Sequence, residues 1–410
     1  MRALPRRIGP KRIGLFGLFG SGNLGNDGSL EAMLDFLRTA LPEAELLCIC
    51  NNPGKVERHY KIPAIDIGAE VPADTMLGAL ARLSPARKLL RRLPAVNAVR
   101  GLDALIVPGT GILDDFSERF WGMPAALFGW CLAARLSGVR IAFVSVGAGP
   151  IAHPLSRWLM KGAARLAHYR SYRDDHSRDF MQSIGFDTRG DAVYPDIAFR
   201  LPAPAAAPAA PPQAQGPLTV GLGLMTYIGW RGDWARGATI YGSYVPKIAR
   251  FALWLLDRGH RVRLLMGDVV DHKAVDDVLK AIAAERPGYP RERVVAEPSH
   301  TLHEVMRQMA ETDVVVGTRF HNVVCALKVG KPMISIGYAR KNDVLLADMG
   351  LGDFCQHVER LDVEVLIDQF SRLVSNRAGY EQRIRAKVGE YRRRLSQQED
   401  ILLEGVLGGG

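Results

Sequence analysis

The sequence predicts an α/β protein built from two Rossmann-like domains facing each other across a cleft. Short apolar runs alternate with amphipathic helical stretches, the pattern of a mostly parallel sheet with helices on both faces. Residues 201–216, LPAPAAAPAAPPQAQG, interrupt that alternation with uncharged Pro and Ala that cannot form a core, and the pattern then restarts. A length of 410 residues, 48% of them apolar, suits two cores better than one. The domains are therefore expected at 1–200 and 217–375, with a linker at 201–216 and a basic helix and tail at 376–410.

In the first domain, Arg12 to Gly17 reads as a strand and Gly20 to Gly28, GSGNLGNDG, as a loop. A helix follows from Ser29 to about Ala40, with Leu30, Met33, Leu34 and Leu37 on one face. Glu45 to Cys50 completes a βαβ unit. Further strands fit Ala104 to Val107, Arg140 to Val146 and Tyr169 to Tyr172, with helices near 122–137, 154–167 and 175–183. After the linker, strands fit Leu218 to Leu222, Arg261 to Met266, Arg293 to Ala296, Val314 to Val316 and Met333 to Ile336. Helices are expected at Tyr244 to Asp257, Asp271 to Ala284, 302–310, Phe320 to Val329, and about Glu381 to Leu395, the last crossing back over the first domain.

Lys plus Arg exceed Asp plus Glu by 53 − 43 = 10, and the pI is near 9.5, so an acidic partner is expected. The bases are not interleaved with exposed aromatics in a recognisable module, which argues against nucleic acid. Residues 75–102 carry six positive charges, no acid and a leucine-rich amphipathic pattern. They fit either an anionic membrane surface or a solvated helix covering the first domain. Cys48, Cys50, Cys131, Cys325 and Cys355 lack metal-ligand spacing and read as reduced core residues. No apolar stretch reaches the roughly 18 to 20 residues of a membrane span. The basic start leads straight into a loop and a helix, so it reads as a tail and first strand. The expected location is cytoplasmic, peripheral at the inner face of the cell membrane where the acceptor is lipid-linked.

Chemistry concentrates at strand ends. Gly20, Gly22 and Gly25 satisfy G-x-G-x-x-G, but the next strand ends in Cys50, Asn51 and Asn52 where a ribose-binding acid is expected, and no P-loop lysine follows. The loop either lets backbone approach a ligand, with Asn23, Asn26 and Asp27 as polar contacts, or is a plain strand-to-helix turn. Pro108 to Phe116, PGTGILDDF, puts Asp114 and Asp115 at another strand end, as hydroxyl-orienting groups or as helix caps. In Tyr172 to Ser177, YRDDHS, Asp174 or Asp175 fits an N-cap and Arg173 an anion clamp or an ion-pair partner. Tyr194, Pro195 and Asp196 read as an architectural turn. Tyr227 to Tyr241, with Trp230, Arg231 and Trp234, suits sugar rings or a packed loop. In VVVGTRFHNVVCALKVGKPMISIGY, Arg319 and His321 stand where a helix begins at a strand's carboxyl end, fit for an anionic ligand that exchanges a proton. The same two residues also fit an arginine paired with a carboxylate and a histidine capping a helix.

Together these motifs resemble the polysaccharide pyruvyl transferase family over residues 12 to about 350. The matching stretches are the Gly20 to Gly28 loop, Gly109-Thr110-Gly111 with its acids, Val144 to Pro150, Tyr172-Arg173-Asp174 with Ser177, Tyr194-Pro195-Asp196, and Gly317 to His321 with Tyr338 and Lys341. Asn26-Asp27 and Thr110 depart from the family's more usual Gly-Asp and Gly run. The resemblance implies a fold similar to two-domain GT-B glycosyltransferases and transfer of a pyruvyl group from phosphoenolpyruvate to a sugar as a ketal. It implies Arg319, His321 and Arg173 as catalytic residues, with Thr318, Tyr338 and Lys341 also at the donor. Asn23, Asn26, Asp27, Asp114, Trp230 and Arg231 are expected to meet the glycan or lipid-linked oligosaccharide acceptor. His321 would protonate the donor's methylene carbon, and no metal or other cofactor is required. Two readings stand beside it: a nucleotide-sugar-dependent glycosyltransferase of the same shape, and a non-catalytic glycan-binding assembly protein.

Overall fold

The computed structural model describes residues 9–68, 94–116, 118–204, 216–229 and 234–408. Most of the basic stretch 75–102, most of the Pro/Ala stretch 201–216, and Trp230 and Arg231 lie outside the described residues. The chain divides into two compact units. One comprises the chain up to Ser21, Ser29–Ile197 and the chain from Arg394; the other comprises Gly22–Gly28 and Ala198–Arg393.

The first unit holds a seven-stranded sheet of order β3-β2-β1-β4-β5-β6-β7. Its strands are β1 Arg12–Phe16, β2 Glu45–Cys50, β3 Ala64–Asp66, β4 Ala104–Pro108, β5 Arg140–Val146, β6 Tyr169–Tyr172 and β7 Ala192–Val193. All their pairings are parallel. Every residue of β4 is buried, as expected of a strand covered on both faces. Phe16, Val107, Leu127, Trp130, Phe143 and Met160 belong to its core. The C-terminal helix Arg377–Leu402 ends in this unit. There Gln398 accepts from the Ser145 hydroxyl (3.0 Å) and donates to Ser171 Oγ (2.7 Å) and to the Tyr169 hydroxyl (3.2 Å).

The second unit repeats the plan with order β10-β9-β8-β11-β12-β13, again all parallel. Its strands are β8 Thr219–Gly223, β9 Arg261–Leu265, β10 Val294–Ala296, β11 Val314–Gly317, β12 Met333–Gly337 and β13 Cys355–His357. In each sheet the order reverses next to the unit's first strand, between β1 and β4 and between β8 and β11. The carboxyl ends at such a point are where ligands bind in open α/β sheets.

Two helices begin earlier than their glycines led us to expect. One spans Leu24–Ala40 instead of starting at Ser29, because Asn23 caps it: Asn23 Oδ1 accepts from the N–H of Gly25 (3.0 Å) and of Asn26 (3.3 Å). The other spans Trp234–Asp257, with Pro246 inside it, so Trp234 to Tyr241 is helix and not loop. Helix Pro53–Tyr60 and strand β3 follow β2 and were not anticipated.

The helix that carries the second unit's candidate residues, Phe320–Lys328, ends on a buried cation. Lys328 is 5% exposed and its Nζ donates to Phe199 O (2.6 Å). Burial, aided by Arg392 and Arg200, pushes its pKa down from 10.5 to about 7. The unfolded chain therefore holds a proton that the folded one releases between those values. This penalty is full below about pH 7 and is relieved as the pH rises towards 10.5. Urea unfolding of the wild-type protein and Lys328→Met across that range should show the difference moving in favour of wild type as pH rises, by at most about 5 kcal/mol. A flat difference would mean that Lys328 keeps its ordinary pKa.

Candidate functional site

In the second unit, four chain segments converge at the carboxyl ends of β8, β9 and β11. Gly223 and Gly317 are register partners across β8 and β11. Just beyond β11, Arg319 directs its guanidinium at Asp271, donating from Nε to Oδ2 (3.0 Å) and from Nη2 to Oδ1 (2.7 Å). Asp271 is fully buried and also accepts from Thr226 N–H (2.9 Å) after β8 and from Gly267 N–H (3.3 Å) after β9. Arg319 Nη1 lies 3.9 Å from Asp268. Burial opposes charge on Arg319, yet the Asp271 and Asp268 carboxylates outweigh it and raise its pKa. Burial also raises the pKa of Asp268, against the pull of Arg319, making it a carboxyl that can hold a proton.

Thus the ion pair that the sequence left open is present, and the side edge of the Arg319 fork is occupied by Asp271. A bidentate grip on a ligand by that edge is excluded, and the Nη1 end is what remains. Helix capping by His321 is not observed. The N-cap is Arg319, and no side chain caps it. The half-buried His321 imidazole instead lies against Gly25, where any Cβ would fall inside its Nδ1. Gly25 sits in the Gly22–Gly28 segment that groups with this unit, so the third glycine of the motif makes room for a ring 296 residues away (321 − 25). Asn23 pairs with Asp268 through a β-bridge, and Gly22 O accepts from Val269 N–H (3.2 Å).

Thr318 is 1% exposed; its hydroxyl bonds Tyr244 (3.2 Å), its N–H donates to Gly223 O (3.1 Å) and its carbonyl accepts from Asn342 Nδ2 (3.1 Å). These bonds brace the turn that carries Arg319. Tyr338 follows β12, and Lys341 Nζ lies 4.9 Å from the Tyr338 ring centroid and 5.8 Å from that of Phe320. Asn322 is fully buried between Gly223 and Gly267, whose missing Cβ atoms would each stand 2.6 Å from its carboxamide. Asp268, Asp271 and Asn322 were missed from sequence. The one signal available was Gly267-Asp268 at the end of strand Arg261 to Met266, which points to Asp268 alone.

In the first unit, Arg173 occupies the corresponding carboxyl edge. It is 8% exposed, with Nε 3.6 Å from Asp174 and Nη1 3.6 Å from Asp196. Gly147 makes this possible, since a Cβ there would stand 2.5 Å from Arg173 Nη2. Asp174 caps helix Asp175–Ser183, accepting from Ser177 N–H (2.6 Å). Asp114 accepts from Phe116 N–H (3.1 Å), and its Oδ2 would be 3.5 Å from a Cβ on Gly111. Asp115 accepts from the N–H of Ala152 (2.8 Å) and of His153 (2.9 Å), tying this loop to the residues just before helix Pro154–Leu166. Asn26 is half-buried and Asp27 is 8% exposed, both in the first turn of helix Leu24–Ala40. Among the described residues no cluster of His, Cys, Asp and Glu could hold a metal ion, and no helix is long and apolar enough to cross a membrane.

The polysaccharide pyruvyl transferase family model matches residues 23–340. The chain belongs to the polysaccharide pyruvyl transferase family. The match takes in β2 to β12 and every candidate site residue named above except Lys341. No curated protein matches its sequence. Solved structures share its fold at low identity. The UDP-GlcNAc 2-epimerase of Neisseria meningitidis, bound to UDP-GlcNAc, is 11% identical with a TM-score of 0.60, covering 97% of this chain and 100% of its own. Anabaena HepE, in complex with UDP, is 13% identical with a TM-score of 0.60, covering 96% and 100%. The UDP-GlcNAc 2-epimerase of Methanocaldococcus jannaschii is 10% identical with a TM-score of 0.58, covering 89% and 93%. They establish two parallel-sheet α/β domains of the GT-B-like kind.

Two substitutions test this construction by stability alone. Gly to Ala inside a helix normally stabilises by roughly 0.5–1 kcal/mol, but Gly25→Ala should destabilise by about 1–3 kcal/mol as His321 is forced aside. Asp271→Ala strands a buried guanidinium and should lose about 3–5 kcal/mol. Denaturant midpoints at or above wild type for either variant would overturn the corresponding contact.

Proposed function

We propose that the protein transfers the pyruvyl group of phosphoenolpyruvate to a sugar of a polysaccharide or of its lipid-linked precursor, forming a pyruvate ketal in exopolysaccharide or cell-surface glycan synthesis. The observation that carries this reading is the pairing, in a member of this family, of Arg319 and His321 at the switch point of the second unit, one locked by Asp271 and the other by Gly25. Phosphoenolpyruvate is an anion that must gain a proton at carbon. The Nη1 end of Arg319 and the start of helix Phe320–Lys328 supply positive potential for it. Tyr338 and Lys341 stand at the neighbouring strand end, and Thr318 acts through the hydrogen bonds that fix the turn.

His321 in its protonated form gives a proton to the methylene carbon, and C2 becomes oxocarbenium-like. A sugar hydroxyl forms a C–O bond at C2 and releases its proton to a base, for which Asp268 is the nearest carboxyl with a raised pKa. The C2–O bond to phosphate then breaks, phosphate leaves with the bonding pair, and a second hydroxyl closes the ketal and gives up its proton. The scheme calls for no cofactor. Arg173 is assigned to the donor on family resemblance alone. Asn23, Asn26, Asp27 and Asp114, with Trp230 and Arg231, are assigned to the acceptor. Work at the inner face of the cell membrane follows if that acceptor is lipid-linked.

Incubation with phosphoenolpyruvate and candidate glycans should release phosphate and add a pyruvyl mass to one glycan. His321→Ala should reduce that release by at least about a hundredfold. Arg319→Lys should fail as badly, because an ammonium cannot hold Asp271 on one edge and an anion on the other. Near-normal turnover by His321→Ala would remove it from the chemistry. A thermal midpoint raised by nucleotide sugars and unmoved by phosphoenolpyruvate would replace this reading with glycosyl transfer.

A further inference from the structure

The first unit carries a surface that the reaction chemistry leaves unused. Helices Met123–Leu136 and Pro154–Leu166 pack closely, with Gly162 lacking a Cβ that would stand 2.7 Å from the Phe128 ring. Around this crossing, large apolar side chains face outward: Leu132 is 36% exposed, Leu136 75%, Leu155 48% and Trp158 60%, with Trp121 at 45% just before the first helix. These make up five of the twelve large apolar side chains most exposed among the described residues. Four of the five stand on two helices that pack against each other, which is more than single residues scattered over a surface.

Charge along the two helices themselves has one sign. Neither helix contains Asp or Glu, and they carry Arg135, Arg157, Lys161 and Arg165. Arg157 Nε donates to Ile151 O (2.6 Å), Lys161 Nζ to Ile184 O (2.7 Å), and Arg135 meets the His168 ring. Arg165 lies over Phe186, and Arg119 over Trp121 at 4.9 Å. Among the described residues none of these five cations pairs with a carboxylate. An ordinary solvated face intersperses acids with bases. A two-fold contact with a second copy would set this face against itself, bringing like charges together. Leucine and tryptophan flanked by uncompensated Arg and Lys fit the boundary of an anionic bilayer, where the rings enter the headgroup layer and the cations meet phosphates.

We infer that this face docks the protein on an anionic lipid bilayer. It rests on other residues than those of the 75–102 stretch and is independent of pyruvyl transfer. Flotation with phosphatidylcholine vesicles, with and without phosphatidylglycerol, tests it on the full chain. Wild type should float with phosphatidylglycerol vesicles and less so at high salt. Leu155→Ser/Trp158→Ala should cut partitioning at least roughly tenfold, and Arg135→Glu/Arg165→Glu should abolish the preference for anionic lipid. Trp234→Ala, an exposed tryptophan of the second unit (54%), should float like wild type. All substituted side chains are solvent-facing, and far-UV circular dichroism checks that each variant folds. No flotation by wild type, or undiminished flotation by Leu155→Ser/Trp158→Ala, would overturn the inference. So would self-association in sedimentation velocity that the same double substitution dissolves, which would make the face a contact between copies.

Discussion

The second unit is organised around one buried charge. Asp271 has no access to water, and its two oxygens take four donors: two from Arg319, one from Thr226 and one from Gly267. Those donors come from the ends of three different strands, so a single carboxylate fixes the relative position of the β8, β9 and β11 turns. A buried carboxylate is tolerable only with full pairing. The cost of any loosening keeps Arg319 in place, and with it the helix start that holds His321.

The two units solve the same problem with different parts. Each sheet delivers an arginine to its carboxyl edge, removes most of it from water and surrounds it with acids: Asp174 and Asp196 for Arg173, Asp271 and Asp268 for Arg319. Each arginine also lies against a glycine, Gly147 in one unit and Gly267 in the other. Flanking carboxylates hold each cation in one place. The balance differs. Arg173 sits at 3.6 Å from both its acids, whereas Arg319 makes two short bonds to one.

How much of this was legible in the sequence depends on how local the determinant is. Glu45–Cys50 and Arg140–Val146 are mostly apolar runs and Tyr169–Tyr172 is bracketed by two tyrosines, and all three strands were readable to the residue. Helix starts at Leu24 and Trp234 were not, because Gly25, Gly28, Gly237 and Gly242 read as breakers when neighbours are unknown. Three of those glycines are there for what lies against them: His321 at Gly25, Leu302 at Gly28 and the Ile228 carbonyl at Gly237. Arg319 and His321 could be picked out by residue type at a strand end. Asp271 could not, since it reads as an ordinary first residue of a helix and its partner is 48 positions away. Short strands such as β13 and β3 carry too few apolar residues to stand out.

The Gly22–Gly28 segment belongs with the second unit although strand β1 before it and most of the helix after it belong to the first. The chain therefore passes between the two units four times: before Gly22, after Gly28, after Ile197 and before Arg394. Cutting at the Pro/Ala stretch alone would not give a transplantable module. A chimera that took residues 198–393 from a relative would place a foreign histidine ring against the resident Gly25, so the glycine loop and the histidine helix have to be inherited, and engineered, as one cassette.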